Sequence, residues 1–199
     1  MRLGPVEHRQ PGLPPALNIE NYHQFNKVWP NEVENNQNQN PSTAFHVAQL
    51  RGYLDPVPHR HKYDQKEMAE LRKKVGGANK NAPLYSLHQT LQAGEEARRF
   101  TYVESRYFYC KAYERLAKET ADFGQLREKM RQGTNLMICG YDACPITRPL
   151  YEHYCDATHP FGHELVLYAL LTVADPLDYP WNQYRVAHPD IYENIAYCL

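Results

Sequence analysis

The loop between Gly140 and Glu164 in this 199-residue chain is dense in side chains that are suited to acid–base chemistry. Asp142 lies near the start of the loop, and His163 and Glu164 lie at its end. Two carboxylates in different surroundings can have separated pKa values, so that one acts as an acid and the other as a base near neutral pH. The sequence therefore predicts Asp142, His163 and Glu164 as catalytic residues.

Two alternatives to this pair stay open. Glu152 or Asp156 could supply the second carboxylate in place of the one at the end of the loop. A structural role also fits, with Asp142 as a turn former and Asp156 as a helix cap. Tyr141 and Asp156 are predicted to contact the ligand, because they lie in the same loop as the catalytic residues.

A basic turn and one arginine are the groups best suited to bind an anion. His59, Arg60 and His61 precede Lys62, so four neighbouring side chains could be positively charged when both histidines are protonated. Arg106 offers a planar guanidinium that suits a phosphate or carboxylate. We predict His59, Arg60, His61 and Arg106 as ligand-binding residues, and the alternative for the turn is a solvated surface cluster.

Cysteine and histidine residues are frequent in the same loop, so a metal site has to be considered. Their spacings, Cys-x4-Cys and His-x3-His, are not those of the common zinc sites. No metal or cofactor is therefore predicted, and zinc is kept as the weaker alternative. Its ligands would come from Cys139, Cys144, His153, Cys155, His159 and His163.

Apolar segments on both sides of the loop must hold it in place. Residues 135–139 form a short apolar run between two glycines, which is typical of a buried strand. Residues 165–173 are apolar nearly all round, so a helix that begins after Pro160 should be central to the core. The loop would then follow the carboxyl end of a strand, where ligands bind in open α/β sheets.

A long helix is predicted for residues 101–121, with one continuous apolar face and with Glu104 able to cap its start. A second helix over residues 123–131 should end at Gly133. Two helices, a buried strand and an apolar helix favour an α/β fold, with a short central sheet flanked by helices in a single layered domain. The predicted apolar face consists of Ser105, Phe108, Tyr109, Ala112, Tyr113, Leu116 and Ala117.

The amino-terminal part of the chain is less regular. Residues 1–16 contain four prolines and predict an extended arm, which leaves residues 17–199 as the single domain. Residues 17–33 favour a short strand followed by a turn or short helix, and residues 45–53 fit a strand or a short helix. Residues 63–75 predict a helix with charged flanks.

An aromatic segment near the carboxyl terminus has two interpretations. It could pack onto the core and close the domain, which is common for aromatic-rich tails. Alternatively, Trp181 or Tyr184 could stack on a base or another ring of a ligand.

The composition excludes several classes of protein. The chain has 22 Lys and Arg residues against 23 Asp and Glu residues, so bulk charge gives no strong signal for nucleic acid or an anionic membrane. The amino terminus lacks the apolar core of a secretory signal, and the cysteine count of five is odd. No apolar run approaches the ~18 residues needed to span a bilayer. We therefore expect a soluble protein in the cytoplasm or another reducing intracellular compartment.

Three stretches of the chain carry a resemblance to known proteins. They are TYVESRYFYCKAYERLA, NLMICGYDA and PFGHELVLYALL, which together cover about residues 100–174. The chain resembles a family of uncharacterised small α/β proteins from large DNA viruses and microbes, for which no activity is established. In its order of helix and strand it is also similar to the nucleotide N-glycosidase-like families, although no motif of those families is matched that would carry residues over.

Two functions follow from these observations. The first is a small intracellular enzyme, such as a hydrolase, that acts on a small anionic ligand of nucleotide-like or phosphorylated type. The second is a non-catalytic subunit of a larger assembly, which would contact a protein partner through the Pro-rich arm or the aromatic tail. The enzyme predicts that Arg106, Asp142, His163 and Glu164 converge on one pocket, whereas the assembly subunit predicts separate caps and ion pairs.

Overall fold

Helices make up most of the fold, and a small antiparallel sheet of three strands accompanies them. The computed structural model describes residues 3–8, 10, 12–34, 37–75, 83–88, 97–140 and 145–193. The chain divides into an amino-terminal unit, Gly4–Ser105, and a carboxyl-terminal unit, Arg106–Glu193, which also includes Leu3. The presence of both helices and strands agrees with the predicted class. The predicted boundary after residue 16 lies within the amino-terminal unit.

The amino-terminal unit holds the sheet. Its described elements are α1 (Ile19–Phe25), β1 (Lys27–Val28), α2 (Thr43–Leu54), α3 (Gln65–Val75), β2 (Tyr85–His88) and β3 (Arg98–Phe100). Strand β2 is the central strand and pairs antiparallel with both neighbours, with Val28 opposite Tyr85 and Leu87 opposite Arg99. Residues 17–33 contain the predicted short strand, β1, followed by a short 3-10 helix at Pro30–Glu32, but the helix α1 that precedes them was not predicted. Asn18 caps α1 by accepting a hydrogen bond from the Asn21 N–H, so the helix comes first.

The Pro-rich amino-terminal segment contributes to the interior of this unit. Val6 and Ala16 exchange backbone hydrogen bonds of 2.7 Å and 3.2 Å, and both side chains are fully buried. The segment therefore folds back on itself in its described part, and apolar contacts hold it in place.

His8 of this Pro-rich segment packs against aromatic side chains of the helices. The His8 ring lies 5.8 Å from that of Tyr22 and 5.1 Å from that of Tyr53, between ring centroids. Tyr22 in turn lies 6.1 Å from His88 on β2. The Tyr53 hydroxyl donates a hydrogen bond of 2.9 Å to Asn26 Oδ1, which anchors the cluster to the end of α1.

The carboxyl-terminal unit is helical, and no strand occurs in the part of it that the structure describes. Helix α4 (Tyr102–Lys118) begins in the amino-terminal unit and enters this one at Arg106. It is followed by α5 (Ala121–Arg131), α6 (Leu150–Cys155), α7 (His163–Thr172) and α8 (Pro180–Ala187), with short 3-10 turns at Pro176–Asp178 and Pro189–Tyr192.

Helix α4 agrees closely with its prediction. Phe108, Tyr109, Ala112 and Tyr113 of the predicted apolar face are buried. Glu104 accepts a hydrogen bond from the Thr101 N–H at 2.7 Å, and the Thr101 hydroxyl accepts one from the Glu104 N–H at 3.3 Å. This reciprocal pair is a capping box, so the predicted structural role of Glu104 is confirmed.

Residues 135–139 do not form the predicted buried strand. They are irregular chain in which Leu136 and Ile138 are half-buried, while Asn135, Met137 and Cys139 are exposed. The alternation is that of an extended segment with one face against the protein. A strand also needs a partner for its backbone groups, and none of the described strands pairs with this run.

The aromatic tail packs in the core of the carboxyl-terminal unit. Trp181 is fully buried, and its indole N–H donates a hydrogen bond of 3.0 Å to Glu114. Tyr184 lies 5.4 Å from Tyr154 between ring centroids. Packing of the tail is thus confirmed, and Trp181 presents no free face for a ligand ring.

No helix within the described ranges is both long enough and apolar enough to cross a membrane.

Candidate functional site

The start of helix α7 brings an exposed imidazole next to a buried carboxylate. Gly162 is the N-cap residue, and His163 and Glu164 occupy the first turn. The side chain of His163 is 55% exposed, whereas that of Glu164 is 8% exposed. A carboxylate in a first helical turn interacts favourably with the positive end of the helix dipole. The fold therefore keeps Glu164 in place and leaves His163 open to solvent.

Helix α4 positions the imidazole of His163 through two tyrosines. The Tyr109 hydroxyl lies 3.3 Å from His163 Nδ1, and the Tyr113 ring stacks on the imidazole with an angle of 14° between the planes. Tyr109 and Tyr113 are one turn apart on the buried face of α4, so both side chains point in the same direction. His163 Nε2 lies on the other edge of the ring, 3.8 Å from Glu164 Oε2.

Two glycines allow the chain to pack directly against the Glu164 carboxylate. A Cβ atom at Gly140 would lie 2.8 Å from Glu164 Oε2, and one at Gly162 would lie 2.9 Å from both carboxylate oxygens. Any side chain at these positions would force the carboxylate to move. The close backbone approach predicted for Gly140 is therefore present, and the atom that it approaches is a carboxylate oxygen of the protein.

The distance between His163 and Glu164 has a chemical consequence. It is longer than a direct hydrogen bond, yet one oxygen atom about 2.8 Å from each group could contact both. A water molecule or a ligand hydroxyl in that position would lie between a base and an acid. This arrangement is suited to general acid–base catalysis.

Asp142 and Tyr141 lie outside the residues that the structure describes. The predicted pairing of Asp142 with Glu164 thus stays a prediction. Gly140, the last described residue before them, packs against Glu164, so the chain enters this region next to the site.

Arg106 is buried inside the carboxyl-terminal unit and holds a loop. Its guanidinium donates hydrogen bonds to the backbone carbonyls of His153, Tyr154, Asp156 and His159. Only 2% of the residue is exposed. Both terminal nitrogens of Arg106 are occupied by main-chain oxygens, so the prediction that it binds a ligand anion is not supported.

Asp156 is also occupied by the same loop. Its carboxylate accepts hydrogen bonds from Thr158 and contacts His159 Nδ1 at 3.0 Å, and it forms an ion pair with Arg148. The hydrogen bonds from Thr158, together with those from Arg148 and His159, hold the pKa of the Asp156 carboxyl well below its usual range. The structural alternative, in which Asp156 caps a helix end and orders the loop, fits better than ligand binding.

The basic turn belongs to the amino-terminal unit and is partly occupied by internal contacts. His59 Nε2 lies 2.8 Å from Asp55 Oδ2, and the His59 N–H donates to Asn21 Oδ1 at 2.7 Å. Arg60 is exposed, and His61 is half-buried. The contacts of His59 favour an ordered surface turn, and anion binding by Arg60 and His61 stays a prediction.

Lys62, which completes the turn, has a buried side chain. Its ammonium pairs with the buried Glu32 and lies 4.6 Å from the centre of the Phe45 ring. Burial lowers the pKa of Lys62, although the charge of Glu32 acts in the opposite direction. The Lys62 ammonium is thus paired inside the unit and does not face a ligand.

Tyr109 and Tyr113 are the members of the site that the sequence did not identify as functional. Both were predicted only as part of an apolar helix face. The spacing of four residues is the same for core packing and for a shared contact, so it could not distinguish the two roles. The Tyr109 contact to His163 joins residues far apart in the chain.

The candidate zinc ligands do not form a metal site in the described part of the chain. No group of three or more His, Cys, Asp or Glu side chains is arranged there to hold a metal ion. His153 is buried, and its Nε2 accepts a hydrogen bond of 3.3 Å from the Thr147 N–H. Cys144 lies outside the described residues.

Comparisons of the chain with known proteins found no relative. No protein family model, no curated protein and no solved structure matches the chain.

Proposed function

We propose that the carboxyl-terminal unit carries an acid–base catalytic site formed by Glu164 and His163. The observation that carries the proposal is a carboxylate, 8% exposed, held 3.8 Å from an imidazole that is 55% exposed. A buried carboxylate beside an exposed imidazole is suited to proton transfer. The protein fixes the position of the carboxylate, and a ligand can reach the imidazole.

The two groups have different roles in this proposal. Glu164 accepts the proton of a water molecule or ligand hydroxyl, and His163 delivers a proton to the leaving group. Tyr109 orients the imidazole through Nδ1, so Nε2 on the other edge of the ring is the atom that donates the proton to the leaving group. Asp142 stays the predicted second carboxylate.

The substrate class is a nucleotide-like or phosphorylated small molecule. The internal contacts of Arg106 make it an unsuitable partner for the phosphate. The start of α7 offers backbone N–H groups, and a phosphate there would have to lie beside the Glu164 carboxylate. The acid–base roles of Glu164 and His163 are therefore better supported than the binding of a phosphate group.

The test combines ligand binding with turnover. Purified full-length protein is screened against nucleotides and sugar phosphates by thermal shift, and stabilising compounds are assayed for conversion by mass spectrometry. We expect Glu164→Gln to keep ligand stabilisation and to lose turnover by roughly 10²- to 10⁴-fold. Glu128→Gln is the matched control, because Glu128 is an exposed residue of α5 paired with Arg131.

The outcomes separate the parts of the proposal. Equal turnover by the wild type, Glu164→Gln and His163→Asn would contradict the assigned roles. Conversion of a compound without phosphate would be consistent with the roles of Glu164 and His163, but it would show that the substrate is not a phosphorylated molecule.

A non-catalytic role in an assembly is the second candidate. It is favoured by the internal use of Arg106 and Asp156, which matches the caps and ion pairs expected of an assembly subunit. Under this alternative no compound in the screen would be converted by the wild-type protein.

A further inference from the structure

The loop after helix α6 presents an imidazole to solvent with a carboxylate behind it. His159 Nδ1 lies 3.0 Å from Asp156 Oδ2. The side chain of His159 is 57% exposed, whereas that of Asp156 is 16% exposed. The main chain is fixed at this point, because the buried Arg106 donates a hydrogen bond to the His159 carbonyl. The loop therefore holds the imidazole in place and leaves it accessible to a ligand.

Two contacts determine which nitrogen of His159 carries the proton. A carboxylate oxygen only accepts hydrogen bonds, so Nδ1 must be the donor toward Asp156. The Thr158 hydroxyl lies 2.9 Å from Nδ1 and gives its own proton to Asp156 Oδ1 at 2.5 Å, so it too can only accept from Nδ1. Nε2 of His159 has no hydrogen-bond partner within the described ranges. In the neutral imidazole, Nε2 thus carries the lone pair and is the nucleophilic atom.

The carboxylate also stabilises the product of an attack by Nε2. A bond formed at Nε2 leaves a positive charge on the ring, and a carboxylate that accepts a hydrogen bond from Nδ1 stabilises this charge. Asp156 stays ionised for this purpose, because the hydrogen bonds from Thr158 and its other partners hold the pKa of its carboxyl well below its usual range. Asp156 thus fixes the tautomer of His159 and balances the charge that develops on it.

The charged groups around His159 favour an anionic ligand. Arg148 forms an ion pair with Asp156, and Arg106 is bonded to the His159 carbonyl. Two guanidinium groups and one carboxylate leave one net positive charge beside the neutral imidazole. An anion is therefore attracted to this loop, although a carboxylate belongs to it. Phosphoryl donors are anionic at neutral pH, so they match this charge better than neutral acyl donors do.

We propose that His159 is a phosphoryl-acceptor histidine, which takes the phosphoryl group of a phosphorylated small molecule onto Nε2. The bond between phosphorus and Nε2 forms as the bond between phosphorus and the donor oxygen breaks. That oxygen leaves with the electron pair and takes up a proton from water. The Nδ1 proton stays on the ring, hydrogen-bonded to Asp156. The step is separate from the acid–base site, because it uses neither His163 nor Glu164.

Phosphoramidate is the probe, since it is a small anionic phosphoryl donor with ammonia as its leaving group. Full-length protein is incubated with it near neutral pH, and phosphohistidine is located by mass spectrometry under alkaline conditions and by ³¹P resonance. We expect His159 to react first, at Nε2. The exposed His46 is the internal comparison, because no carboxylate of the described chain contacts it. It should react roughly ten- to hundredfold more slowly, which is the usual effect of a missing carboxylate partner on a histidine.

A variant of Asp156 tests its positioning role. Asp156→Asn should slow phosphorylation of His159 by roughly ten- to hundredfold. Asp178→Asn should leave the rate unchanged, because Asp178 is exposed elsewhere in the same unit. In ¹⁵N spectra of the neutral ring, Nδ1 of His159 should be protonated in the wild type, and Asp156→Asn should shift the proton toward Nε2. A purely structural role of Asp156 would not change the tautomer.

Several results would overturn the proposal. They include phosphorylation of His159 no faster than that of His46, which needs no variant to be measured, and phosphorylation at Nδ1 in place of Nε2. Equal rates in the wild type and Asp156→Asn would contradict the role of the carboxylate. Preferential reaction of His159 with the neutral acylating reagent diethyl pyrocarbonate, but not with phosphoramidate, would show a reactive imidazole that is not a phosphoryl acceptor.

Discussion

At the scale of single residues, Arg106 stabilises the carboxyl-terminal unit through its geometry. A planar guanidinium can serve several carbonyls at once, and here it connects His153, Tyr154, Asp156 and His159 in one loop. The loop leads within a few residues to His163 and Glu164. Arg106 therefore supports the site from a distance, although it does not face a ligand.

This role predicts a large loss of stability in a conservative variant. Arg106→Lys keeps the charge but cannot reach all four carbonyls, so buried acceptors lose their donors. We expect the free energy of unfolding to fall by about 2–4 kcal/mol. Urea denaturation followed by circular dichroism measures the change, and hydrogen exchange assigns it to the carboxyl-terminal unit.

Arg131→Lys is the control for this substitution. Arg131 pairs with Glu128 on the exposed face of α5, and such pairs contribute less than about 1 kcal/mol. If Arg106→Lys were no more destabilising than Arg131→Lys, the loop would not depend on the guanidinium.

The sequence indicated some residue roles correctly and missed others for a physical reason. Gly162, His163 and Glu164 lie at a helix start, which local composition marks well. The partners of Arg106 come from a loop that is distant in the chain, so the sequence around Arg106 could not show whether the guanidinium was free. Tyr109 was missed as a site residue for the same reason.

At the scale of elements, the Pro-rich segment and strand β2 meet at two histidines that fold in the neutral form. The Gln10 N–H donates a hydrogen bond of 3.2 Å to His8 Nδ1, so that nitrogen must be unprotonated. Burial lowers the pKa of His8, and it lowers the pKa of His88 to about 3. Other neighbours act on His8 as well, since Glu7 and the Pro14 carbonyl favour its charged form.

The sign of the pH dependence follows from these shifts. The unfolded chain binds protons at its histidines below about pH 6.5, whereas the folded chain keeps His88 neutral down to about pH 3. The contribution of His88 to stability should thus be constant above pH 6.5 and should fall as the pH drops from 6.5 toward 3. His88 alone should cost about 2 kcal/mol at pH 5.

Denaturation between pH 7 and pH 5 provides the check. In His88→Phe the free energy of unfolding should decline less over this pH range, because unfolding no longer lets His88 take up a proton. His46→Gln should keep the full decline, because His46 is exposed on α2. Identical pH profiles for the wild type and His88→Phe would show that His88 is not the group responsible.

Prediction of helices and strands succeeded where an apolar pattern repeated over several turns. It failed where an element depends on a pairing strand from elsewhere in the chain. Helix α4 repeats its apolar positions over several turns, and the prediction matched it. Residues 135–139 are too few to distinguish a strand from an extended apolar segment. Pairing partners decide between the two, and they are not a local property of the sequence.

At the scale of the whole molecule, the division into two units was not visible in the sequence. The boundary falls between Ser105 and Arg106, inside helix α4. The periodicity of α4 continues through this point, and a domain boundary is usually read from a break in pattern or from a linker. All described residues of the candidate catalytic site belong to the carboxyl-terminal unit.

The central claim is that Tyr109, His163 and Glu164 act as one acid–base site, and imidazole nitrogen resonances test it most directly. In ¹⁵N-labelled full-length protein near neutral pH, the signals of His163 are identified by their loss in His163→Asn. We expect Glu164→Gln to move the Nε2 signal and Tyr109→Phe to move the Nδ1 signal, while Glu128→Gln changes neither. Unchanged His163 signals in both Glu164→Gln and Tyr109→Phe would contradict the site.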